Sequence, residues 1–209
     1  MSKLSKIAQD GIWKQNPALV KLLGLSPLLA VSNSFVTALC LGIVIVIVLT
    51  TSNILISFIR LFLNEDLGIP TKIAVLATLV TLADIFLQAW YFELHHRIGL
   101  FLALIVTNFS LLGRAELFTS RNPILSSAVD GFMVGIGFLW VLLIIGSIRE
   151  GLGSGTLFSD MQILLGPVGE DLEINFSDNG FLLLILPPGA FISLGILIAL
   201  KNLVFHNRH

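Results

Sequence analysis

Six stretches of this chain are strongly apolar, and four of them are long enough to cross a bilayer. A helix needs about 20 apolar residues to span a hydrocarbon layer of ~30 Å. Phe35–Phe62, Ile69–Phe92, Ala128–Ile148 and Phe181–Phe205 meet that length. Pro17–Val31 is short and interrupted by Gly24 and Pro27, and Ile98–Leu112 is short and ends at Gly113. Only 12% of the 209 residues are charged and 56% are apolar, where soluble domains carry about 25% charge. A water-soluble globule of this size could not bury so much apolar mass. A soluble enzyme and a disordered chain are therefore excluded. The net charge of −1 leaves no basic field for a phosphate backbone. The class is an all-α integral membrane protein.

The order of the segments carries a second expectation. The two short segments stand first in each group of three. That order suggests six transmembrane helices arranged as two inverted three-helix repeats, approximately 1–97 and 98–209, with segments 1 and 4 short or broken. Paired short segments of this kind point to a functional centre near the bilayer midplane. Backbone broken at that depth must be buried in protein or line a cavity. Two ordinary short, tilted helices would give the same hydropathy, and that alternative stays open here. Six crossings put ten of the twelve Lys and Arg on one side and leave Arg97 and Arg149 on the other. The positive-inside rule then places both termini in the cytoplasm. The outer loop 149–180 is acidic and is the one sizeable extramembrane piece. The first 21 residues lack the order of a cleavable signal, so the chain reads as mature protein.

Few side chains offer chemistry. Asp84 lies within the third segment, with Gln88 one turn on. A carboxylate inside a membrane span is costly, and is either functional or paired. It is thus an ion-pathway candidate, or a structural acid facing a polar partner. Asp130 at the start of the fifth segment reads as a helix N-terminal cap. His95 and His96 read as a solvated loop, because neighbouring helical positions do not face one another. Cys40, the sole cysteine, reads as a small core residue. Gly131 and Gly135 form a GxxxG that lets helices approach closely. Gly151, Gly153 and Gly155 read as a flexible outer turn, and Trp13, Trp90 and Trp140 as interfacial anchors. No nucleophile–base pair, dinucleotide fingerprint or metal-ligand set is visible, so no catalytic residue and no metal ligand is assigned.

Several motifs do resemble a known family. LLGLSPLLAV (Leu22–Val31) and LIVTNFSLLGRAELF (Leu104–Phe118) resemble the first and fourth segments of the E-type membrane subunits of Rnf (Rsx) ion-translocating oxidoreductases. SSAVDGF (Ser126–Phe132), GSIREGLGSGTLF (Gly146–Phe158) and LILPPGAFISLG (Leu184–Gly195) are similar to the same subunits. The matches run in order through nearly the whole chain. The D-type subunit of the sodium-pumping NADH:quinone reductase shares VTN and GRAE, and is the second resemblance. A stand-alone inverted-repeat secondary transporter is the rival from outside this family.

The resemblance implies a six-helix subunit of a bacterial inner-membrane complex. It would pair, inverted, with the A-type Rnf subunit and assemble with the B-, C-, D- and G-type subunits, with flavins and iron–sulfur centres held by its partners. The complex couples electron transfer between ferredoxin and NAD to ion translocation, and no independent catalysis by this subunit is expected. In the family, two Cys from this chain and two from the A-type partner hold an intramembrane [2Fe–2S] cluster. Here those positions are Ser26 and Phe109. Iron–sulfur clusters take Cys thiolates and occasionally His; a Ser oxygen is a poorer match and Phe cannot ligate. Three explanations stand: the cluster is lost, it is held asymmetrically with other donors, or the sequence is an altered version of the family protein. Asn108 beside Phe109 can satisfy opened backbone groups. Arg114 and Glu116 of GRAE stand at the cytoplasmic end of segment 4, as partner contacts or as anchors.

Overall fold

The computed structural model describes residues 10–14, 16–59, 68–106, 122–176 and 180–206. Its main elements are α1 (Leu25–Val31), α2 (Phe35–Ile59), α3 (Gly68–Trp90), α4 (Phe92–Val106), α5 (Ile124–Gly153) and α6 (Pro187–His206). Among the described residues three helices, Phe35–Ile59, Pro70–Trp90 and Ile124–Gly153, are long and apolar enough to cross a membrane, and Pro187–Leu203 is a shorter apolar helix. A mostly helical membrane protein is what the sequence required.

The bundle is organised around α2 and α5, which run antiparallel. At one end, the Phe35 N–H donates to Glu150 at 2.6 Å. At the other, Asn53 donates to the Ser127 carbonyl at 3.1 Å and Ser57 to the Asn122 carbonyl at 3.3 Å. Small residues make the approach possible. A Cβ at Gly131 would lie 2.8 Å from the Leu49 carbonyl oxygen, and one at Gly135 would lie 2.8 Å from the Val46 Cα. One at Gly42 would overlap Leu139, and one at Gly146 would meet the Ala38 Cβ at 3.0 Å. The GxxxG expectation is thus met by backbone-to-backbone contact along the whole helix pair. Leu41, Ile45, Leu142 and Ile145 fill the seam and are fully buried.

The helix α3 packs against this pair along a narrow strip, and most of its apolar surface faces outward. At Tyr91 the chain doubles back into α4. Asp84 and His95 meet at 2.9 Å, whereas eleven residues of straight helix would part them by about 16 Å. Beyond α5, a two-residue antiparallel pair, β1 (Thr156–Leu157) with β2 (Ile174–Asn175), holds the loop that carries a one-turn helix, Gln162–Leu165.

Several expectations are corrected. Arg149 and Glu150 are not loop residues: α5 continues through Gly153 and both are buried. Gly151 and Gly153 are accordingly helical, and only Gly155, at φ 74, makes a left-handed turn. Asp130 does not cap α5, which starts at Ile124 after Pro123; it lies about two turns inside and is fully buried. His95 and His96 are on α4, not in a loop. Trp140 is halfway along α5 and stacks on Trp13 at 5.5 Å, so neither marks a segment end, whereas Trp90 does close α3. Each error comes from reading hydropathy alone, which cannot see charged or aromatic groups buried by tertiary contacts.

Candidate functional site

The first apolar segment is broken, as Gly24 and Pro27 suggest. The chain makes a wide π-type turn at Asp10–Lys14, a run of turns at 17–20, and then only the seven residues of α1. Gly24 precedes α1 at φ 75 and Leu22 stands at φ 52. That left-handed region is cheap for Gly and disfavoured for Leu. Pro27 is the third residue of α1, where the backbone N–H lacks an intrahelical partner in any case, so Pro does not break the ladder.

Two buried polar residues hold this irregular segment. Asn16 is buried and saturates its amide. Its Nδ2 donates to the Ile12 and Gly137 carbonyls at 3.0 and 2.6 Å, and its Oδ1 accepts from the Ala18 and Leu19 N–H groups, both at 3.0 Å. Gly137 lies mid-way along α5, and a Cβ there would stand 2.7 Å from the Gly11 carbonyl oxygen. The N-terminal segment is therefore pinned against the middle of the bundle, and Lys201 of α6 adds a bond to the Leu19 carbonyl at 3.3 Å.

Arg149 closes the other end. Its Nη1 donates to the Leu29 carbonyl at 3.3 Å and to the Ser32 hydroxyl at 2.8 Å. Its Nε and Nη2 donate to the Leu184 and Ile185 carbonyls at 3.0 and 2.5 Å. Helix C-termini leave carbonyls without partners, and the guanidinium supplies donors both to the end of α1 and to the backbone that leads into α6. Glu150 does the converse. Its carboxylate accepts the Phe35 N–H at the start of α2 and the Ser159 N–H and hydroxyl at 2.9 and 3.0 Å. Arg149 thus meets the C-terminus of α1 and Glu150 the N-terminus of α2, the ends whose dipoles favour those charges. Beside them opens a polar cavity of about 350 Å³ bordered by Asn33, Ser34, Thr37, Arg97, Glu150 and Asp160. Arg97 and Asp160 pair across it at 2.7 Å.

Asp84 lies in the last third of α3 and is half-buried, and its carboxylate meets the His95 Nε2. Gly99, one turn beyond His95, makes room for the imidazole: a Cβ there would lie 2.9 Å from Nε2. The pair is the acid–partner arrangement that a carboxylate in a span requires. Ser26 is in the first turn of α1 and exposed within this chain. Phe109, Asn108, Arg114 and Glu116 lie outside the described residues. Asn16, Arg149, Glu150 and His95 were not singled out as site residues by sequence reasoning. The available signal for Arg149 and Glu150 was a charged pair directly abutting an apolar run with no polar stretch between.

The donor set does not fit a thiolate-held iron–sulfur cluster. Position 26 offers a hydroxyl and position 109 a phenyl ring. The single thiol, Cys40, is buried on α2 beside an apolar groove of about 450 Å³ between α2 and α3, bordered by Val44, Val48, Leu79, Ala83 and Phe86. Among the described residues no group of three or more His, Cys, Asp and Glu could hold a metal ion.

Comparison with known proteins agrees with the architecture. The profile of the family described as "Rnf-Nqr subunit, membrane protein" matches residues 4–198. A protein of Pseudomonas paraeruginosa, named as the E-type subunit of an ion-translocating oxidoreductase complex, is 49% identical over 201 residues, covering 95% of this chain and 84% of that protein. A protein of the same name from Shewanella frigidimarina is 48% identical over 206 residues, covering 98% of this chain and 89% of the relative. Another from Shewanella loihica is 46% identical over the same length. The helical bundle, the broken first segment and near-half identity along almost the full length agree, and this chain belongs to the Rnf-Nqr family of membrane subunits.

Proposed function

We propose that this chain is the E-type membrane subunit of an Rnf complex, which couples electron transfer between ferredoxin and NAD to ion translocation across a bacterial inner membrane. The observation that carries the reading is the near-half identity, over almost the whole length, to proteins named as the E-type subunit of an ion-translocating oxidoreductase complex. In this reading the chain has six crossings as two inverted halves, 1–97 and 98–209. It pairs with the A-type subunit, with the B-, C-, D- and G-type subunits around the pair. The order of the helices and the short α1 and α4 support it. The Arg149 end is the outer face. Its two cations are already engaged, Arg149 by carbonyls and Arg97 by Asp160, so it presents no free positive excess, and both termini are cytoplasmic.

The chain's part in this assembly is positional. Asn16 and Arg149 hold the broken first segment at a fixed depth, and Ser26 and Phe109 stand where the family places its cluster ligands. With neither a thiol, the cluster is lost or takes donors from elsewhere. The Asp84–His95 pair is the ion-pathway candidate. It joins α3 to α4 near the turn between them, and a carboxylate and an imidazole can exchange a proton or release a cation.

The test is purification of the intact assembly through a tag on this chain. The expected result is a set of flavin and iron–sulfur proteins in fixed proportion, with ferredoxin–NAD turnover, and no transport by the chain alone in liposomes. A chain that purifies alone and moves a solute by itself would overturn the reading in favour of a secondary transporter. Companions that reduce quinone with NADH and pump sodium would favour the D-type subunit of that reductase.

A further inference from the structure

Ser26 and Phe109 stand where the family places this subunit's two cluster thiols, and neither is a thiol. We infer that this chain is a redox-silent member of its family: neither position ligates iron, and no iron–sulfur centre stands between this chain and its A-type partner.

Ligand number is the first reason. A [2Fe–2S] centre takes four protein ligands, Cys thiolates or occasionally His. Two would come from the partner, so this chain must supply the other two. The Ser26 hydroxyl is at most one, and it is a harder donor than iron in such a centre favours. A phenyl ring at position 109 is none, wherever it points. The described side chains offer no substitute near Ser26. The sole thiol, Cys40, borders the groove between α2 and α3, and no residue of α1 lines that groove. His95 is bound to Asp84 across the turn from α3 to α4. His96 precedes Arg97, which borders the outer cavity with Val31 and Asn33, at the far end of α1 from Ser26.

The fold itself is the second reason. A shared metal centre ties together the segments that hold it. Here the first segment is tied without one. Asn16 donates to the Gly137 carbonyl, Lys201 to the Leu19 carbonyl, and Arg149 to the Leu29 carbonyl and the Ser32 hydroxyl. In addition, α1 packs on α4, and Leu28, Val31, Ile98, Leu102 and Ile105 are buried in one apolar core. Ser26 lies outside that core, exposed within this chain. A thiol can therefore be absent there with the broken segment intact.

The inference rests on the E-type reading above, and its test is read separately from that of the complex. Iron, acid-labile sulfide and the electron paramagnetic resonance spectrum of the reduced assembly are measured for the native chain, for Ser26→Ala and for Ser26→Cys/Phe109→Cys. Copurification of redox proteins is scored first. Ser26→Ala is expected to change none of the three. The double variant, facing a partner that has its two thiols, is expected to add about two iron and two sulfide ions per assembly and a new [2Fe–2S] signal. No change in either variant also upholds the inference, because a centre already in place would feel two new thiols beside it. Loss of iron or of a signal in Ser26→Ala would overturn it. So would a double variant that shifts an existing signal without adding iron, since a centre would then already stand there on other donors. A chain that brings down no redox protein sinks the E-type reading instead; an iron-free chain in that preparation leaves positions 26 and 109 non-ligating, and iron bound to it would sink both.

Discussion

Arg149 shows most sharply what one residue does here. Three backbone carbonyls and one hydroxyl converge on its guanidinium in a buried position. Removing the guanidinium leaves no charge unpaired, but it strands these acceptors, and a buried acceptor without a donor costs about 1–3 kcal/mol. We expect Arg149→Met to lose at least that much stability, read as a drop in thermal unfolding temperature in detergent. Arg149→Lys should recover little, because a point charge cannot reach four acceptors that a planar fork spans. The Asp84–His95 pair behaves differently. It is a single contact between neighbouring helices, with Asp84 39% and His95 22% exposed, and a carboxylate in a span is costly even when paired. Asp84→Asn removes that cost together with the contact, so unfolding should change little. If the pair carries the ion, the same variant abolishes ion-coupled turnover in the complex. Unchanged turnover would remove Asp84 from the pathway.

At the scale of elements, the two faces of α5 decide the architecture. Gly131 and Gly135 face α2, while Gly137 faces the N-terminal segment. The sequence displayed all three glycines, and their spacing foretold close packing. It did not reveal that two different partners use them. Gly137→Ala would drive a methyl into the Gly11 carbonyl, a backbone atom that cannot swing aside. It should destabilise by about 1–3 kcal/mol and loosen the Trp13–Trp140 stack, visible in tryptophan fluorescence. Gly195 on α6 has nothing within 4 Å of a built Cβ. Gly195→Ala should be neutral or stabilising by up to about 1 kcal/mol, the helix-propensity difference. Equal losses at the two positions would refute the packing account.

For the whole molecule, orientation is the measurable consequence. With Cys40 replaced by Ala, a cysteine introduced at Glu173, which is exposed, should react with an impermeant maleimide in intact cells. One introduced at His209 should react only after lysis. The reverse pattern would invert the topology. Much of this was legible beforehand: long apolar runs such as Phe35–Phe62 require helices in lipid, because only intrachain hydrogen bonds satisfy a backbone there. Gly24 and Pro27 announced the break before α1, because their backbone preferences are local. The ends of α4, α5 and α6 were displaced by several residues, since helix ends are set by caps and neighbours and hydropathy does not record those. The sequence alone determined that this chain lives in a membrane, where its apolar segments lie and which family it joins, since composition, period and motif are properties of the chain itself. Only the tertiary structure decided that Arg149 and Glu150 are buried clamps, that Asn16 is a pin, and that Asp84 has His95 for a partner. A polar group's role depends on the donors and acceptors that distant segments bring to it.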